Sequence, residues 1–234
     1  MRYQPIENHG IVGNMHSAAL VSLDGSVDWL CLPRFDSPSV FGAILDAGKG
    51  GRFRIAPAAA GELRRKQYYW PETNVLITRF LHPDGIAEVE DYMPVGLCAG
   101  PNAQLVRRVR VVRGRLPLEV ECRPAFDYAR ARHATAVSEH GARFDGPGLS
   151  LGLAASVPLL RDADGAVAAF PLGEGEKATF VLRVIAPDAH PGRCPGTDEA
   201  EGWFRATVAY WQRWAARCTY RGAGARRSCA RPWR

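Results

Sequence analysis

Two carboxyl groups flanking one glycosidic bond at roughly 5 to 9.5 Å are enough to hydrolyse it. The sequence offers one local pair of that kind, Glu119 and Glu121. Residues i and i+2 of a strand share a face about 7 Å apart, so the spacing fits. It fits any solvated strand face equally well, and that is the reading the pattern favours. Glu88, Glu90 and Asp91 are read in the same way. His9 and His16 bracket Gly10-Ile11-Val12-Gly13-Asn14-Met15, but no further ligand stands at metal-site spacing. Both are therefore read as hydrogen-bonding groups, and no metal is expected. No Gly-Lys-Ser/Thr follows the two glycines and no Gly-x-Ser-x-Gly occurs, which removes a phosphate loop and a serine nucleophile elbow. No cofactor is expected.

The strongest binding candidate is Pro33-Arg34-Phe35-Asp36-Ser37-Pro38-Ser39-Val40-Phe41. Two prolines stiffen it, Arg34 and Asp36 can fork hydrogen bonds, and Phe35 offers an apolar face. Loops on rigid scaffolds often carry binding. The alternative is that Arg34 and Asp36 brace the loop while Phe35 and Phe41 plug the core.

These residues need strands to position them. Ala18 to Leu23 and Ser26 to Leu32 flank Asp24-Gly25, which reads as a hairpin with a two-residue type I′ turn. Alternation in the second arm puts Val27, Trp29 and Cys31 on one face, with Asp28, Leu30 and Leu32 on the other. Further strands are expected over 52–55, 74–81 and 86–93, and from Leu105 to Val112. Leu118 to Arg123 would follow after a connection at Arg113 to Pro117. Others are read over 134–138, 142–145, 149–155, 166–172 and 178–185. Many short strands with Gly and Pro at intervals favour a sandwich or barrel. One helix comes late. Asp198 and Glu201 resemble a capping box, and Phe204, Val208, Trp211, Ala215 and Cys218 recur at helical spacing. Phe204, Val208 and Trp211 are the expected packing face.

Composition narrows the function classes. The net charge of +6 is a property of the end of the chain: residues 213–234 hold seven arginines and no acid, leaving a net of −1 before them. No nucleic-acid partner is expected from that distribution. No apolar run approaches the roughly 20 residues of a membrane span, so no membrane partner is expected. The first ten residues contain no apolar signal core, and the expected location is cytoplasmic. None of the six cysteines forms a Cys-x-x-Cys pair, and Cys31 and Cys122 sit in apolar runs as small core residues.

Several stretches carry a resemblance: Tyr3 to Gly10, Gly13-Asn14-Met15-His16, Asp24 to Phe41, and Thr207-Val208-Ala209-Tyr210-Trp211-Gln212-Arg213-Trp214. They resemble the opening of bacterial glycoside hydrolase family 15 proteins, glucoamylase-like and trehalase-like. The resemblance implies a large antiparallel β-sandwich (a supersandwich) over 1–196, then a linker helix over 197–221. Its partner would be an α/α barrel carrying the catalytic glutamates, and its substrate an α-glucoside, trehalose or an α-glucan. No catalytic residue transfers, because no position here matches the barrel. Arg34, Phe35 and Asp36 are then candidates for the substrate rim or barrel interface. The expected role is a non-catalytic brace for the barrel; the alternative is a free-standing carbohydrate-binding or interaction sandwich. Residues 222–234 depart from the family pattern, and a disordered, out-of-frame tail is expected there.

Overall fold

A computed structural model describes residues 3–95 and 103–219 of the chain. After a 3-10 turn at Ile6–Asn8 come β1 (His9–Gly13), β2 (Ala18–Ser22), β3 (Ser26–Cys31), β4 (Ser39–Phe41) and β5 (Arg52–Pro57). Next are β6 (Arg64–Tyr69), β7 (Leu76–His82), β8 (Gly85–Tyr92) and the long β9 (Gln104–Arg123). A four-residue element, α1 (Phe126–Ala129), follows. Then come β10 (Ala134–Ser138), β11 (Gly141–Gly146), β12 (Leu149–Ala155), β13 (Leu160–Asp162), β14 (Gly165–Gly173) and β15 (Lys177–Ile185). The helix α2 (Thr197–Ala216) closes the described region. The fold is mainly antiparallel β with a C-terminal helix, as the sequence pattern implies.

Strand β9 organises the whole. Its first half pairs with β8, from Tyr92↔Val106 to Gly85↔Gly114, and with β15, from Arg183↔Gln104 to Lys177↔Arg110. Its second half pairs with β14, from Gly173↔Arg115 to Ala166↔Cys122, and with β5, from Pro57↔Leu118 to Arg52↔Arg123. One sheet therefore runs β1-β2-β3-β5-β9-β14-β13, with β4 beside β3, and the other β6-β7-β8-β9-β15-β12-β11-β10. Where the sequence suggests two strands and a connection at Arg113 to Pro117, the chain stays extended and keeps its partners. Gly114 absorbs the bend with φ +74°, and a Cβ there would stand 2.1 Å from the Asp84 carbonyl oxygen. Between the sheets pack Val21, Leu30, Phe41, Phe53, Ile55, Phe80, Val109, Leu118, Phe144 and Phe180. Cys31 and Cys122 are buried there too.

The first hairpin corrects two details. Its loop is Leu23-Asp24-Gly25, closed by the Gly25 amide donating to the Ser22 carbonyl at 3.0 Å. Gly25 takes φ +87° and Asp24 stays at negative φ, so this is a three-residue loop rather than a type I′ turn. Further along, Leu20 faces Trp29 while Val21 faces Val27, so Asp28 is an extra, unpaired residue on β3. That bulge resets the alternation. Val27 and Leu30 both reach the core, and Trp29 faces away from it.

Four strands fall outside the sequence reading: β1, β4 and β13, the last two only three residues long, and β6, a charged edge whose Arg64, Arg65 and Lys66 are exposed. β1 is held from the side as well. The Tyr69 hydroxyl bonds both the amide (2.8 Å) and carbonyl (2.9 Å) of Ile11, and Asn74 Oδ1 accepts from the Gly13 amide at 2.6 Å. The helix begins two residues earlier than the capping box suggests. Gly196 is its N-cap, with no side-chain cap bond, and Asp198 lies in the first turn. Cys218 falls beyond its end. Residues 222–234 lie outside the described residues.

Candidate functional site

The loop after β3 stands where the sequence places it. The Leu32–Pro33 peptide is cis. Arg34 grips Asp36 with two bonds, Nε to Oδ1 at 3.0 Å and Nη2 to Oδ2 at 2.6 Å, and the Arg34 amide donates to Ser37 Oγ at 3.1 Å. The Arg34 guanidinium holds the Asp36 carboxyl below its ordinary range. Both side chains are 68% exposed, so the pair shapes the loop more than it stabilises the fold. The two readings of the aromatics separate. Phe41 plugs the core, whereas Phe35 is 59% exposed and does not. The Phe35 amide donates to the His16 carbonyl at 2.9 Å. That bond ties the loop to the turn at Asn14, whose Oδ1 accepts from the amides of His16 (3.0 Å) and Ser17 (2.9 Å). Two of the sequence stretches quoted above thus form one rigid rim that carries an exposed ring.

The helix packs on the outer face of the second sheet. Phe204 is buried there against Val75, Ile77, Tyr92, Val106 and Val181. Its ring meets Trp70 edge-on at 5.3 Å and Tyr92 at 5.9 Å, and the Arg108 guanidinium lies 4.9 Å from its centroid. Val208 packs against the same cluster. Trp211 is half-buried, touching Tyr210 and Trp214, and its indole N–H has no partner among the described residues. Glu201 latches the first turns, accepting from Arg108 Nη2 at 2.6 Å and Lys177 Nζ at 3.3 Å. Burial works against its carboxylate, but these two cations outweigh burial and bring its pKa down to about 2.

Four of the five carboxylates weighed for catalysis, Glu88, Glu90, Asp91 and Glu121, are held by arginines. Glu121 bonds Arg52 at 2.7 Å and Arg123 at 2.6 Å, and Glu119 is exposed. Glu88 is clasped by Arg79, by Arg110 at 2.7 Å and by the Tyr68 hydroxyl at 2.9 Å. Glu90 lies between Arg108 and Arg110, and burial raises its pKa. Asp91 meets Arg107 at 2.7 Å with both side chains fully buried. Among the described residues no cluster of three metal-ligating side chains forms.

Sequence reasoning also missed a pairing that depends on the bulge. Asp28, freed from the strand ladder, meets His9 Nε2 at 3.1 Å, while His9 Nδ1 faces the Pro5 carbonyl at 3.1 Å. A carbonyl only accepts, so a hydrogen bond to Pro5 takes its hydrogen from Nδ1. Burial raises the Asp28 pKa, and the neighbouring Asp24 adds to the rise against bonds from Ser22 and His9. The pair opens onto a cleft of about 330 Å3. Beside it runs a wider groove of about 850 Å3, bounded by Lys49, Arg52, Arg123 and His133.

Residues 1–158 match the family described as trehalase-like, N-terminal. A trehalase of Thermoplasma volcanium is 30% identical over 227 residues, which are 94% of this chain and 35% of that protein. One of Thermoplasma acidophilum is 31% identical over 87% of this chain and 35% of its own length. Trehalase 1 of Sulfolobus acidocaldarius is 38% identical over 59% of this chain and 23% of its own length. The chain thus spans about a third or less of these relatives.

Proposed function

The chain belongs to the trehalase-like, N-terminal family, and from that premise we propose that it is the non-catalytic β-sandwich of a family 15 glycoside hydrolase. Its work is to brace an α/α barrel that hydrolyses an α-glucosidic bond. The match over residues 1–158 carries this reading. Two features of the chain support it. Of the acids weighed for a catalytic pair, Glu121 and Glu88 are neutralised by arginines at 2.6 to 2.7 Å, and Glu119 stands exposed beside Glu121 on a strand face. The Arg34–Phe35–Asp36 rim is stiff and exposed, which suits a surface that meets a barrel or the edge of its substrate site.

The test has two arms. Purified alone, the chain releases no glucose from trehalose or maltose. Joined to the following two thirds of the Thermoplasma volcanium trehalase, it supports hydrolysis, and Arg34→Ala lowers kcat/KM about tenfold through misplacement of the rim with an unchanged melting temperature. Glucose release at enzymatic rates by the chain alone overturns the reading.

A further inference from the structure

The cleft beside the Asp28 bulge is lined by groups that the barrel reading does not use, and its chemistry points to a ligand of its own. Tyr3, His9, Asp24, Asp28, Arg52 and Arg54 line it. At about 330 Å3 it lies at the small end of the roughly 300–1,000 Å3 that ligand sites occupy. Two carboxylates and two guanidiniums line it, so the formal charges of its wall are matched in number. Such a wall presents fixed acceptors and fixed donors side by side. A hydroxyl group both donates and accepts, and neighbouring hydroxyls can fork onto a carboxylate or a guanidinium.

Three of the charged groups are already held in place. Asp24 Oδ1 accepts from Ser22 Oγ at 2.6 Å and the Ser26 amide at 3.0 Å. Burial opposes its charge, but these bonds and the Arg54 charge outweigh burial and hold its pKa below the ordinary range. Asp28 is fixed by His9, and Arg52 by Glu121 at 2.7 Å. Little ordering is then left for binding to impose. At the mouth Tyr3 is 57% exposed, with its hydroxyl 3.4 Å from the Leu45 carbonyl, and its ring offers an apolar face. Arg52 and Ala47 also line the adjoining groove, so the site continues beyond the cleft.

We propose that this cleft binds a neutral polyhydroxylated ligand of one or two sugar rings. The proposal is independent of the barrel reading, because binding by the chain alone tests it and hydrolysis does not enter. Amide chemical shifts of the 234-residue chain are followed while glucose, trehalose, gluconate or glucosamine is added. Saturable shifts at the lining residues with the neutral sugars, weaker with the charged analogues, are expected. Asp28→Asn and Arg54→Ala each weaken binding about tenfold, the loss of one charge-assisted hydrogen bond. Should Asp28→Asn disturb the bulge, Arg54→Ala and Tyr3→Ala decide, with the spectrum of the free protein reporting the fold. No saturable shift at the solubility limit of the neutral sugars overturns the proposal. So do shifts confined to the Arg34 loop, or binding that well-folded Arg54→Ala and Tyr3→Ala variants leave unchanged.

Discussion

Arg107 shows how a single side chain can join two sheets. It lies fully buried and grips Asp91, its direct cross-strand neighbour, with Nε at 2.7 Å and Nη2 at 3.2 Å. The remaining donors cross the sandwich, Nη2 to the Gly25 carbonyl at 2.8 Å and Nη1 to the Phe53 carbonyl. Removing one partner of such a pair leaves an uncompensated buried charge, at about 3–5 kcal/mol. Asp91→Ala is expected to lower unfolding free energy by that amount in urea titrations. Asp91→Leu with Arg107→Met recovers only part of the loss. The Phe53 carbonyl then misses its guanidinium, while Gly25 keeps the Ile55 amide at 3.1 Å. None of this was legible in Leu105-Val106-Arg107-Arg108-Val109-Arg110. Alternation and charge both suggest an outward arginine until the Asp91↔Arg107 register is known. The Arg34–Asp36 clamp, by contrast, was legible, because two residues apart in a proline-stiffened loop is a local matter. The exposure of Phe35 was not, since it depends on what the loop leans against.

At the scale of elements, local signals held where partners merely continued a pattern. Val137 and Val184 sit in strands that the apolar runs foretold. Bulges and edges defeated those signals, because each is defined by the neighbouring strand: Asp28 is extra only relative to Leu20-Val21. The helix was legible in its stripe but not in its start, since Glu201 answers to Arg108 and Lys177 rather than to a cap. That latch makes a pH prediction. A carboxyl whose folded pKa lies below the ordinary 4.5 contributes stability that is fully present above that value and fades as pH falls toward about 2. Glu201→Gln is expected to cost about 1 kcal/mol at neutral pH, a solvent-screened ion-pair magnitude. Parent and variant should converge near pH 2. Urea midpoints at the two pH values check it, and a gap that persists in acid would assign the cost to packing instead.

For the whole molecule, the decisive feature is the 20-residue β9, hydrogen-bonded to β8 and β15 along its first half and to β14 and β5 along its second. Its amides cannot be exposed in one sheet while the other stays closed without breaking the strand at Gly114. The two layers are therefore a single cooperative unit rather than two foldons. Native-state hydrogen exchange should give Val106 and Val120 the same opening free energy, equal to that of global unfolding, and both should fall together in denaturant. A stepwise release, with one layer opening first, would mean that the backbone spine yields at its bend.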